Sequence, residues 1–309
     1  MSKPVVPNDE LNLEELWGML WFGRRVIVAS FVVFSVLSVF FALAQPNVYR
    51  AEAVLVPSES SSDGHLASLV GQFGGLASMA GVTLSGGEDK TKYALEVLKS
   101  REFLSEFVAR HELLVPLIAS MSWDAGEKRL LIDPDVYNAE TKEWLREPTT
   151  LKPARPTNQD AHKAFLNILS VNRDKNTGYI TLGVEFFSPY IAQTWVEMLV
   201  KDLNAEIRSR DVDEAKESIE FLMKKLNEIK VSEMRTIFYE LIEEHTKTIM
   251  FAEVRKEYAL KTLDKAVVPE VKSGPSRALI CVLGAISGVV VGGLLSLVVG
   301  LYRRKKILS

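Results

Sequence analysis

Apolar positions concentrate at the two ends of this chain and thin out between them. Near the N-terminus, VIVASFVVFSVLSVFFALA (26–44) runs nineteen residues without a charge; near the C-terminus, ALICVLGAISGVVVGGLLSLVVGLY (278–302) runs twenty-five. About 20 such residues, at about 1.5 Å rise each, cross a bilayer core. A helix also satisfies its own backbone where no water is available. Each block therefore predicts a transmembrane helix. The first contains an Ala-x-Ala pattern at Ala42 and Ala44, as a cleaved signal does, but its length and the acidic NDELNLEELWGMLW before it speak for a retained span.

Between the blocks the periodicity changes several times. YRAEAVLVP (49–57) alternates as a strand does, and GYITLGVEF (178–186) does so more regularly. The Ser- and Gly-rich stretch that follows Pro57 reads as a long surface loop. Its Gly81-x4-Gly86 is followed by Gly87 and only later by Lys90, which does not make a phosphate-cradling loop. EDKTKYALEVLKSREFLSEFVARHELL, from Glu88, has helical spacing and reads as one helix or two short ones. Residues 116–156 read as irregular with one helix at 139–145; a helix at 158–169 and a strand at 170–173 follow.

Ser188-Pro189 opens the longest feature, a cap followed by a first-turn proline, and no proline recurs until Pro269. Within it Ile219, Leu222, Leu226 and Ile229 form a narrow apolar seam on a charged helix. KVSE, at 230–233, weakens the helical pattern and predicts a bend; Met234, Phe238, Leu241 and Ile242 resume it. About 70 unbroken helical residues would exceed roughly 100 Å. The region must project or fold back on itself, and its thin seam suits lateral self-association. The pattern as a whole predicts an α+β exterior domain, 45–277: an α/β base (45–187), a long helical region (188–268) and a proline-bracketed connector (269–277). Tails at 1–25 and 303–309 complete the chain.

Charge sets the orientation. Lys3, Arg24, Arg25, Arg303, Arg304, Lys305 and Lys306 lie on the terminal side of the spans, against Arg50, Lys265, Lys272 and Arg277 on the other. The positive-inside rule places both termini in the cytoplasm and the bulk outside it. The total of 37 Lys+Arg against 40 Asp+Glu, net −3, gives no sign of a nucleic-acid binder. The one cysteine, Cys281, lies in the second span, so the exterior domain has no disulfide to form.

Catalytic chemistry is not expected. His65, His111, His162 and His245 are scattered without metal-ligand spacing, and the carboxylates Glu240, Glu243 and Glu244 read as a solvated helix face. On this reading the short tails leave no intracellular output domain, and no cofactor is called for. The second span does carry Gly284-x3-Gly288-x3-Gly292, which lets another helix approach closely. The partner is the first span, a neighbouring subunit or another membrane protein.

Several stretches together resemble the Wzz-type polysaccharide co-polymerases, chain-length determinants of bacterial lipopolysaccharide O-antigen. They are NLEELWGMLW with RR before the first span, YRAEAVLVP after it, and LIEEHTKTIMFAEVRKEYALKTLDKAVVPEVKSGPSRALI before the second. The last holds Ala252-Glu253-Val254-Arg255 and a Pro-x5-Pro-x-Arg run formed by Pro269, Pro275 and Arg277. Residues 116–156 carry no likeness, and the ATP-binding domain and tyrosine-rich tail of the autokinase branch are missing. The resemblance implies a membrane-proximal α/β domain with a long projecting helix, assembled as a ring-shaped homo-oligomer, an octamer, at the inner membrane. It implies no catalysis and action on the O-antigen polymerase and its lipid-linked polysaccharide. Proline fixes φ and cannot continue a helix, so Pro269 and Pro275 are expected to bracket a semi-rigid connector. The alternative is a capsule or exopolysaccharide export adaptor working with a separate kinase and an outer-membrane channel.

Overall fold

A computed structural model describes residues 21–58, 86–150, 152–228 and 232–308. The chain divides into two compact units, 1–47 with 273–309, and 48–272. The first holds α1 (Arg24–Ala44) and α8 (Arg277–Leu308), which pack along each other. Both are long and apolar enough to cross a membrane.

The second unit is built on a four-stranded antiparallel sheet, ordered β6 (Leu169–Arg173), β7 (Ile180–Phe186), β1 (Tyr49–Pro57), β8 (Leu260–Asp264). Register follows the alternation. Ala51, Ala53 and Leu55 of β1 stand opposite Val184, Leu182 and Ile180 of β7, and all six are buried on one face. A one-residue slip would turn that whole set outward. The opposite face is polar: Arg50 pairs with Glu52 and lies 3.7 Å from Glu185. Gly183 sits beneath that group, where a Cβ would come within 2.6 Å of Ser170 Oγ and 3.2 Å of Arg50 Nε. Any larger residue there would displace the pair.

Helices cover the apolar face. α2 (Gly86–Lys99) and α3 (Arg101–Arg110) are separated at Ser100, whose extended backbone ends the first helix and whose Oγ accepts from Phe103 N at 3.2 Å to start the second. α4 (Leu114–Ala119) leads into a hairpin of β2 (Ser120–Asp124) and β3 (Arg129–Ile132), and a smaller one joins β4 (Tyr137–Asn138) to β5 (Glu143–Trp144). α5 (Asn158–Ile168) begins with a reciprocal capping box between Thr157 and Asp160. α6 (Pro189–Leu226) begins as its sequence predicts: Ser188 Oγ accepts from Ile191 N, and Pro189 occupies the first turn. The core aromatic rings of α3, α5, α6 and β7 meet in sequence, Phe107–Phe165 edge to face at 5.4 Å, then Phe165–Trp195 at 5.7 Å and Trp195–Phe186 at 4.5 Å, both tilted.

Beyond the base, α6 continues outward and α7 (Ser232–Val254) returns along it, so the long region folds back as a helical hairpin. The bend expected at 230–233 falls partly outside the described residues.

Two expectations are corrected. Residues 139–145 form no helix: Asn138 Oδ1 accepts from Glu140 N and Thr141 N, and Lys142 takes a positive φ of 57°, which together make a turn between β4 and β5. The helical region 188–268 also ends early, because Leu260–Asp264 leaves the helix to become the edge strand β8. The surface loop after Pro57 and Gly81 lie outside the described residues.

Candidate functional site

The candidate residues fall into three places. In the membrane unit, Gly284, Gly288 and Gly292 all face α1. A Cβ on Gly284 would overlap Ser38; on Gly288 it would meet Phe34 Cβ at 2.9 Å and Phe31 Cα at 3.0 Å; on Gly292 it would meet Ile27 Cα at 2.8 Å. The two apolar helices therefore approach at backbone distance, where dispersion between close-packed atoms is the main attraction. Of the three partners left open by the sequence, the first span of the same chain fills this face. At one end of the pair, Arg277 Nη2 donates to Asn47 Oδ1 at 3.2 Å, joining the residue that opens α8 to the segment that follows α1.

The connector is non-helical. After β8 the chain runs without regular structure to α8; Pro269 is half-buried, the Gly274–Pro275 bond is cis, and Arg277 opens the helix two residues later.

The seam lies on α6. Leu222 is 8% exposed within the single chain, while Ile219 and Leu226 are half-buried; Ile229 lies outside the described residues. α7 is the element packed along α6 here, so the chain itself covers Leu222. Other apolar side chains of the hairpin are left outward. Phe221 (60%) and Met223 flank the seam on α6; Tyr239, Met250 and Val254 (82%) are exposed on α7. Heptad periodicity does not pick them out, because they lie off the stripe. Their signal was bulky apolar residues interrupting charged faces.

Electrostatics elsewhere are structural. Asp160 sits within 3.1 Å of Thr157 N and Arg146 Nη2 and 3.6 Å from Lys152 Nζ. The backbone N–H of Thr157 is the largest influence, assisted by Arg146 and opposed by burial, and lowers the Asp160 carboxyl to about 2. Among the described residues no three His, Cys, Asp or Glu side chains are grouped to hold a metal ion.

The family model Wzz, chain length determinant protein, matches residues 9–111. Over that stretch, about a third of its length, the chain is similar to the Wzz family. Among solved structures, a full-length bacterial polysaccharide co-polymerase aligns over 95% of this chain and 99% of its own, at 15% identity and a TM-score of 0.38. A fragment of WzzB, the polysaccharide co-polymerase from Salmonella Typhimurium, aligns over 74% of this chain and 100% of its own, at 12% identity and a TM-score of 0.30. A mutant of the Shigella flexneri lipopolysaccharide O-antigen chain-length regulator aligns over 73% and 100%, at 12% identity and 0.21. Overlaps this loose carry no argument about shape, and no curated protein sequence matches.

Proposed function

We propose that this chain is of the Wzz type and sets the number of repeat units in lipopolysaccharide O-antigen. It acts with the O-antigen polymerase on lipid-linked glycan at the exterior face of a bacterial inner membrane. The observation that carries the reading is the match of residues 9–111 to the chain length determinant family. Two apolar helices near the ends of the chain support a two-pass topology, and the excess of flanking Lys and Arg on their terminal sides supports cytoplasmic termini. Outward apolar side chains on the α6–α7 hairpin support self-association into a ring, for which we adopt eight copies. Pro269, Pro275 and Arg277 form the connector that relates the exterior unit to the spans.

The test is the lipopolysaccharide ladder of cells with and without the gene. Loss of a clustered band pattern, leaving a steadily decaying ladder, is expected. An unchanged ladder with loss of a surface capsule would replace this reading with the export adaptor. For the connector, changing Pro269 and Pro275 together to Ala is expected to alter modal length while the assembled protein persists; an unchanged length distribution would remove the connector from the mechanism.

A further inference from the structure

α6 holds the chain returning from α7 by a row of polar side chains. Gln193 Nε2 donates to Ala266 O at 3.2 Å. Asn204 Nδ2 donates to Leu260 O at 2.9 Å, while its Oδ1 accepts from Ala259 N at 2.7 Å and Leu260 N at 3.0 Å. The Tyr258 hydroxyl donates to Asp211 Oδ2 at 2.8 Å. Gln193, Asn204 and Asp211 are spaced about three and about two helical turns apart, which puts them on one face. Their partners occur in the reverse order along the sequence, so residues 258–266 lie antiparallel to the helix as a strap. The lengths agree: about 27 Å of helix from Gln193 to Asp211, against about 26 Å for the same eight steps of extended chain.

The outermost rung is also tied to the base. Lys90 Nζ of α2 lies 3.5 Å from Asp211 Oδ2. The neighbouring Arg210 donates to Glu206 Oε1 at 2.6 Å, Tyr93 Oη at 3.3 Å and Glu102 Oε2 at 3.4 Å. Burial, then the Asp211 carboxylate, pushes the Tyr258 phenol up, so its hydroxyl remains a protonated donor.

This arrangement does what the apolar seam between α6 and α7 cannot. Burial of apolar surface is non-directional and tolerates sliding of one helix along another. Hydrogen bonds with fixed partners define a register. The root of α6 is held by its own buried face, including Trp195, Leu199 and Leu203, and does not depend on the strap. What the row fixes is where the end of α7 returns. We propose that Gln193, Asn204 and Asp211, with the strap they hold, are positioning residues for length control: they set the register of the α6–α7 hairpin, and that register contributes to the length selected. The inference rests on the chain-length reading above.

The test uses the full-length chain expressed in cells lacking their own copy. Tyr258→Phe removes one hydroxyl and no apolar surface. It is expected to shift or broaden the modal band cluster with the amount of membrane protein unchanged, while Asp211→Asn, which keeps an oxygen to accept from Tyr258, stays nearer the wild type. Val108→Ala, buried in α3 away from the strap, serves as a control for loss of stability. In a Cys281→Ser background, spin labels at the exposed Met223 and Met250 report hairpin register directly and are expected to change separation in Tyr258→Phe. An unchanged ladder, an unchanged label distance, or ladder shifts that track melting temperature equally in Tyr258→Phe and Val108→Ala would each overturn the proposal. If deleting the gene leaves the clustered ladder intact, the chain-length reading itself fails, and the label distances then show separately whether the strap fixes register.

Discussion

Asn204 is the residue whose replacement should do the most damage for the fewest atoms. It is 3% exposed, and its amide satisfies two backbone N–H groups and one carbonyl of the strap. Its remaining bond, Nδ2 to Val200 O at 3.0 Å, goes to a carbonyl of its own helix. Changing it to Ala strands the N–H groups of Ala259 and Leu260. A buried unsatisfied donor costs about 1–3 kcal/mol, and because Ala259 is only half-buried we expect a total of about 3 kcal/mol. Against a domain stability of about 5–15 kcal/mol that is a large fraction. It should lower the urea midpoint of the full chain in detergent by on the order of 1 M. Exchange of the amides at 259 and 260 should accelerate ahead of those in β1 and β7. Asn204→Asp separates hydrogen bonding from charge. The new carboxylate still accepts from both N–H groups but faces the carbonyl oxygens of Val200 and Leu260, which raises its folded pKa above the unfolded value. The folded form is then favoured at pH below the unfolded carboxyl range, and the advantage is lost as pH rises through the raised pKa. Asn204→Asp should therefore lie closer to wild type at acidic than at neutral pH. An Asn204→Ala chain within about 1 kcal/mol of wild type, with both amides still protected, would refute the reasoning.

Two further predictions concern the capping box and the membrane helices. Asp160, lowered to about 2 from an ordinary 3.8, contributes roughly 2 kcal/mol at neutral pH. A depressed carboxyl gives stability above its unfolded pKa and loses it as pH falls from about 4 toward 2; thermal melts of Asp160→Asn and wild type should converge over that window, and a gap as wide at pH 3 as at pH 7 would contradict the assignment. Gly288→Leu should push α1 and α8 apart by about 2 Å, since the new side chain meets backbone that cannot rotate away; spin labels at the exposed Val33 and Leu279, in a Cys281→Ser background, would measure it, and an unchanged distance would contradict the packing.

What could be read in advance was what repeats or punctuates. Two uncharged runs gave two apolar helices, alternation gave β1 and β7, and Ser188-Pro189 marked the start of α6. The α+β class followed from these. What could not be read was set by tertiary contacts. LKTLD carries two lysine-or-aspartate positions and little apolar weight, and it becomes a strand only because β1 offers an edge and Asn204 holds its start. The β4–β5 hairpin has two-residue strands, too short to alternate, fastened by the Tyr137–Trp144 ring pair at 5.0 Å. Asn204 itself looks like any polar residue on a charged helix. So does Asp202, which is buried and accepts from Arg110 at 3.0 Å and lies 2.8 Å from His111 Nε2. Their partners are more than fifty residues away, and no local pattern announces them.

The seam shows the same limit from the other side. Ile219, Leu222 and Leu226 form an apolar stripe in the sequence, but periodicity identifies a face and not what covers it. Within one chain α7 lies along α6 and Leu222 is buried, so part of the stripe is used before any second copy arrives. The surface that a neighbour would find is the remainder, which includes Phe221 and Met223 on one leg and Tyr239, Met250 and Val254 on the other. These side chains belong to two helices whose mutual register decides whether they form one patch or two. That makes the polar row on α6 and the outward apolar surface parts of one argument. A hairpin free to slide would present a variable patch, and a hairpin pinned at Asp211, Asn204 and Gln193 presents a fixed one.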